Sequence, residues 1–201
     1  PDAAAREIAA AAPADARILD TSTAHRTSQE WVYGMPELCP HQRQLIKNSN
    51  RVAVPGCHAT GVILLIKPLL EIGLVPHDYS FSAFSLTGYS GGGKKMIAQY
   101  ESEERIRGNA GHQDILCSPQ QYGISQSHKH LPEIMAVTGL AFSPAFMPVV
   151  GDYYSGMEVT IPLSVNGLRK EDVSKAMAEY YRGQPLIEVS ESTDDSGFIA
   201  A

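Results

Sequence analysis

Cys57 follows the turn residues Pro55 and Gly56 and opens an apolar pattern at helical spacing: Ala59, Val62, Ile63, Ile66, Leu69 and Leu70. That places a thiol at the N-terminus of a predicted helix. There the unpaired amides and the positive end of the helix dipole favour thiolate over thiol. The same amides suit the oxyanion of a tetrahedral intermediate, and the bare glycine leaves room for a carbonyl to approach. A nucleophile and a buried structural cysteine are both open readings of this position. A phosphatase loop is excluded, because Ile63 stands where C-x5-R requires arginine.

A thiol nucleophile needs a proton shuttle, and the run SHKHLPE at 127–133 offers one. His128 and His130 are candidate bases, and Glu133 can orient a ring. A solvated basic loop and an H-x-H metal pair compete with that reading. Zinc would need two further ligands, and Cys39 with His41 is the one other pair, so no metal is expected.

The run GYSGGGK at 88–94 fits G-x-x-x-x-G-K, but Lys95 occupies the position of the Ser or Thr that binds magnesium in a P-loop. Nucleotide hydrolysis is therefore rejected. Exposed glycine amides beside lysines still suit an anion such as phosphate. Cysteine, histidine and an anion loop together imply acyl phosphate chemistry, in which a thioester forms and is then reduced by hydride from a nicotinamide cofactor. The dinucleotide fingerprint G-x-G-x-x-G after a strand is absent from these 201 residues.

The elements that must position these groups read as follows. A helix covers 2–12, and a short buried strand at 17–20 opens into the polar loop 21–28. A helix spans about 37–48, a strand 51–54, and the Cys57 helix follows. A strand at 79–87 precedes the glycine loop, with a helix at 94–105. Segment 113–124 has no clear pattern. Further strands are expected within 138–147, at 157–165 with Pro162 at an edge, and at 186–189, with a helix at 170–181. This gives α/β character up to residue 56 and α+β character after it.

Composition agrees with a folded chain, with 43% hydrophobic and 19% charged residues. A net charge of −6 argues against bulk nucleic-acid binding. No run is long and apolar enough to be a membrane span, and the alanine-rich start is not a signal peptide. Three cysteines without C-x-x-C spacing favour a reducing cytoplasm. The chain starts at Pro1 and stops in the apolar run 197–201, so both ends read as cuts.

The motifs LDTSTAHR at 19–26, YGMPEL at 33–38, PGCHATG at 55–61, GYSGGGK at 88–94 and HKHLPE at 128–133 resemble those of the N-acetyl-gamma-glutamyl-phosphate reductases. The resemblance implies residues 1–56 as the end of an NADP-binding Rossmann-like domain. It also implies residues 57–201 as a glyceraldehyde-3-phosphate-dehydrogenase-like catalytic and dimerisation domain with a mixed sheet. It implies NADPH-dependent reduction of N-acetylglutamyl 5-phosphate in arginine biosynthesis, by a cytoplasmic homo-oligomer. Carried over, Cys57 forms the thioester, and His130 or His128 moves the proton beside Glu133. Ser22, Thr23, Ser90, Gly91 and Gly92 would line the cofactor, and His25, Arg26, Gly88 and Lys94 the substrate. Without the pyrophosphate loop this chain alone is expected to be inactive. An aspartate-semialdehyde-dehydrogenase-like enzyme and a non-catalytic assembly module, its contacts on the alternating face of 157–165, are the competing readings.

Overall fold

In the computed structural model, which describes residues 2–105 and 114–190, short strands alternate with helices. In chain order these are α1 (Asp2–Ala11), β1 (Ile18–Asp20), β2 (Val32–Tyr33), α2 (Gln42–Asn48), β3 (Arg51–Ala53) and α3 (Cys57–Glu71). They continue with β4 (Ser82–Gly88), α4 (Lys94–Tyr100), β5 (Gln120–Gln121), α5 (His130–Thr138), β6 (Ala145–Gly151), β7 (Met157–Thr160) and α6 (Lys170–Tyr180). The apolar end at 197–201 lies outside the described residues.

The chain forms two compact units. Among the described residues the first joins the segments up to residue 79, 129–143 and 164–190. Its sheet is parallel, in the order β1-β3-β2. The core lies on α3, where Ala59, Val62, Ile63, Ile66, Leu69 and Leu70 are buried against α5 and α6. Gly73, at φ +78°, ends α3 in a Schellman turn, with Leu74 N–H on Leu69 O at 2.9 Å and Gly73 N–H on Leu70 O at 3.1 Å. Pro68 inside α3 has no N–H for the carbonyl of Leu64. The Tyr181 hydroxyl donates to that carbonyl at 2.6 Å, so the proline leaves no orphan acceptor.

The second unit, 80–128 with 144–163, holds a mixed sheet in the order β5-β6-β4-β7. β4 runs parallel to β6 and antiparallel to β7. Tyr89, Tyr100 and Val150 form a small core there, with Met96, Ile97, Leu116 and Tyr122 packed on it. The mixed sheet and the mixture of helices and strands agree with the expected fold class.

Several elements differ from expectation. The helix from 94 stops at Tyr100, not 105, and the strand expected within 138–147 begins only at Ala145 and runs on to Gly151. The strand at 186–189 is absent, and Leu186 is exposed, since no neighbouring strand pairs with it. The strand from 157 ends at Thr160, before Pro162, which cannot donate to a ladder. It does lie at a sheet edge. β1 does not bury its whole length, because Leu19 faces out at 71% exposure. The helix from 37 starts only at Gln42, beyond Pro40. Three elements were not foreseen, β2, β5 and α5.

Candidate functional site

Gly56 is the N-cap of α3 in an extended conformation, φ −74° and ψ 144°, and, lacking a side chain, it supplies no cap. Cys57 therefore opens the helix as an exposed thiol beside its first-turn amides. No acidic residue occupies that first turn to offset the dipole.

Helix α5 supplies the partners. His130 and Glu133, one turn apart, are buried at 3% and 1% exposure. A Cβ added to Gly56 would lie 2.3 Å from His130 Nε2 and 2.6 Å from Arg26 Nη1. An imidazole and a guanidinium thus meet over the α-carbon that precedes the thiol. His58, also buried, tilts toward His130 with ring centroids 5.5 Å apart.

Glu133 anchors this arrangement. Its Oε1 accepts the Gly56 N–H and the Tyr33 hydroxyl, each at 2.7 Å. Its Oε2 accepts Arg26 Nη1 at 3.2 Å. Arg26 is fixed further by Nε on Val54 O at 2.9 Å and Nη2 on Thr21 O at 3.1 Å. Burial and the neighbouring carboxylate push the Tyr33 hydroxyl far above its ordinary pKa, so it serves as a donor.

The loop bearing Arg26 is tied to the end of β1. Asp20 accepts from Ser22 N–H at 2.8 Å and Ser22 Oγ–H at 2.9 Å, and pairs with His25 Nδ1 at 2.7 Å. The His25 ring stacks on Trp31, with centroids 4.1 Å apart. Burial acts to raise the pKa of Asp20, but the bonds from Ser22 and His25 outweigh it and hold the carboxyl below its usual value.

The model for the dimerisation domain of semialdehyde dehydrogenases matches residues 57–197. The chain belongs to that family. An N-acetyl-gamma-glutamyl-phosphate reductase of Trichormus variabilis is 40% identical over 98% of this chain and 62% of its own length. Another, from Burkholderia ambifaria, is 39% identical over 96% of this chain and 61% of its own length. The chain therefore spans less than two thirds of the curated relatives it matches. Among solved structures, aspartate semialdehyde dehydrogenase II from Vibrio cholerae superposes with a TM-score of 0.59 at 16% identity. That match covers 80% of this chain and 52% of the other, and it is a likeness of fold.

In this semialdehyde dehydrogenase family chain, the first unit gathers Cys57, His130, Glu133, Arg26, His25, Ser22 and Thr23. The second carries His128, Gly88, Ser90, Gly91, Gly92 and Lys94. His128 packs there between Tyr122 and Phe146, at centroid distances of 5.8 and 5.1 Å. Ser22 bonds Asp20, and Thr23 donates to Asp2 through its hydroxyl at 2.5 Å, so both are engaged within the chain. Gly88 packs closely enough that a Cβ would meet Tyr154 O at 2.6 Å. From Gly91 to Lys94 the glycine run is exposed. Glu133 was expected to orient an imidazole, whereas the bonds described above carry its hold to the backbone before Cys57. Tyr33 was missed as a site residue, although the motif YGMPEL singled it out. Among the described residues no group of three or more His, Cys, Asp and Glu could hold a metal ion. No described helix is long and apolar enough to cross a membrane.

Proposed function

We propose that the protein containing this chain reduces N-acetyl-L-glutamyl 5-phosphate to N-acetyl-L-glutamate 5-semialdehyde, releasing phosphate, in arginine biosynthesis. The observation that carries this reading is the exposed Cys57 at a helix N-terminus, with His130 and Arg26 converging over Gly56. His130 accepts the thiol proton, and Cys57 Sγ bonds to the acyl carbon. Phosphate leaves with the electrons of the broken C–O bond, and a thioester remains. First-turn amides of α3 stabilise the oxyanion on the way. A nicotinamide cofactor, NADPH in this reading, supplies the hydride that turns such a thioester into an aldehyde. Arg26 is the cation for the substrate's anionic group, with His25 holding its loop; Gly88 and Lys94, in the second unit, are assigned to the substrate by the family resemblance alone.

Ser90, Gly91 and Gly92 suit a phosphate-bearing cofactor, because the run is exposed from Gly91 onward and lies beside Lys94 and Lys95. Ser22 and Thr23, already bonded within the chain, would line the cofactor through the shape of their loop. His128 remains the alternative proton carrier. Residues 1–56 would close the nucleotide-binding domain and 57–201 form the catalytic one, a division supported by the family match from residue 57. Self-association is read for the mixed sheet, where Phe84, Leu86 and Met147 share one incompletely buried face. Free cysteines accord with a cytoplasmic setting.

The test is the reverse reaction of the full-length protein with phosphate and NADP. N-acetylglutamate semialdehyde is expected to be turned over and aspartate semialdehyde ignored, with Cys57→Ser abolishing the rate. Preference for aspartate semialdehyde, or a fully active Cys57→Ser protein, would overturn the proposal.

A further inference from the structure

We propose that Tyr33 is a positioning residue for the thiol site, acting through Glu133 on the Gly56–Cys57 backbone. The inference rests on Cys57 being the nucleophile. Tyr33 closes β2, and the next peptide bonds β3 through Gly34 N–H on Ala53 O at 2.8 Å. Its own carbonyl accepts from the buried Gln42 side chain. The backbone at Tyr33 is therefore held on both sides, and its hydroxyl reaches Glu133 Oε1 at 2.7 Å. The same oxygen receives the Gly56 amide at 2.7 Å. One buried carboxylate thus fixes the turn before the thiol to α5, the helix that also carries His130.

Of the three donors on this carboxylate, Arg26 is the one whose charge an anionic substrate would draw on. Tyr33 and Gly56 then hold Glu133 together. Without the hydroxyl, the Gly56 amide would share a carboxylate that is free to rotate, and the turn would lose its register with His130. The loss falls on the chemical step more than on substrate binding, because Tyr33 reaches the site only through Glu133.

The experiment is a double-mutant cycle in the full-length protein with Tyr33→Phe and Glu133→Gln, following kcat and KM separately. Glutamine keeps the size and one acceptor oxygen of the glutamate but not its charge. Tyr33→Phe is expected to lower kcat by about 10-fold or more, with KM within about 2-fold, as loss of a hydrogen bond to a charged group implies. In the Glu133→Gln background the same change should cost less than about 2-fold. Equal losses in both backgrounds, or a change in KM alone, would overturn the proposal. So would a Tyr33→Phe protein that does not fold, since the hydroxyl would then serve the fold and not the thiol.

A second readout separates this inference from the proposed reaction. The iodoacetamide rate of Cys57, measured against Cys39 and Cys117, needs no substrate. It should fall several-fold in Tyr33→Phe while the other two cysteines keep their rates. If the wild-type protein reduces no acyl phosphate, the reaction assignment fails while this comparison still decides the role of Tyr33. An unchanged Cys57 rate refutes it.

Discussion

Gly56→Ala tests the site with one carbon atom. At φ −74° and ψ 144° an alanine backbone is unstrained, so the effect is purely steric. The new Cβ would stand 2.3 Å from His130 Nε2, 2.4 Å from His130 Cδ2 and 2.6 Å from Arg26 Nη1. Ordinary contact needs about 3.5 Å or more, so something must retreat by roughly 1 Å. His130 is 3% exposed and Arg26 is held by Val54, Thr21 and Glu133, so neither has open space to enter. Overpacking of this kind costs about 1–3 kcal/mol of stability. A displacement near 1 Å at a catalytic group costs on the order of 100-fold in rate. Chemical denaturation and steady-state kinetics of the full-length protein measure both. The expected variant is folded, modestly destabilised and about 100-fold slower. Wild-type kcat in a folded Gly56→Ala protein would show that His130 and Arg26 need not occupy this position during catalysis, and would refute the reasoning.

Three further outcomes follow from the same structure. Cys57, exposed at the helix N-terminus, should be alkylated by iodoacetamide well before the partly buried Cys39 and Cys117, as peptide mapping will show; equal rates would contradict its open position. Asp20 has a lowered pKa in the fold, so its contribution is fully present above the unfolded value near 4 and is lost as pH falls through the lower folded value. Urea unfolding should therefore find Asp20→Asn about 1 kcal/mol or more less stable at pH 7, with the gap closing below about pH 4; a gap that persists in acid refutes it. Tyr181→Phe leaves the Leu64 carbonyl without the donor that replaces the missing Pro68 N–H, which should cost about 1–3 kcal/mol in the same assay, and a neutral change would mean water takes its place.

The legible parts of this molecule are those written in local pattern. The α3 register, its start at Cys57 and its glycine stop follow from apolar spacing and turn residues within 20 positions. The short β2 offered no alternation to detect, and it exists through pairing with β3. α5 was hidden because His128, Lys129 and His130 look like a solvated loop. Pro132 in its first turn, where a proline is tolerated, and Gly139 at its end were the available signals. The apolar residues of 186–189 lacked a pairing neighbour, so composition alone misled. The bonds of Glu133 join residues 77, 100 and 107 positions apart, and no local pattern encodes them. His130 and Glu133 were recognisable as chemistry, but what each touches was not.

Those long-range bonds also decide where the positive field at the thiol comes from. Arg26 is the guanidinium near Gly56, and at 3.2 Å from Glu133 its charge is largely answered by that carboxylate. Both side chains are at most 9% exposed, so little water intervenes between them. The fixed positive potential at Cys57 is then chiefly that of the uncapped α3 amides, which point along the helix axis. Such a field persists when the ion pair is rearranged, whereas the Arg26 charge becomes available only as Glu133 gives it up. On the proposed reaction, the division suits a site that must hold a fixed field at the thiol and still present a cation to an acyl phosphate. It also explains why Glu133 is held by two neutral donors besides arginine. Were a substrate to draw the guanidinium's charge, the Gly56 amide and the Tyr33 hydroxyl would still satisfy the carboxylate, so the anion would not be left buried and bare.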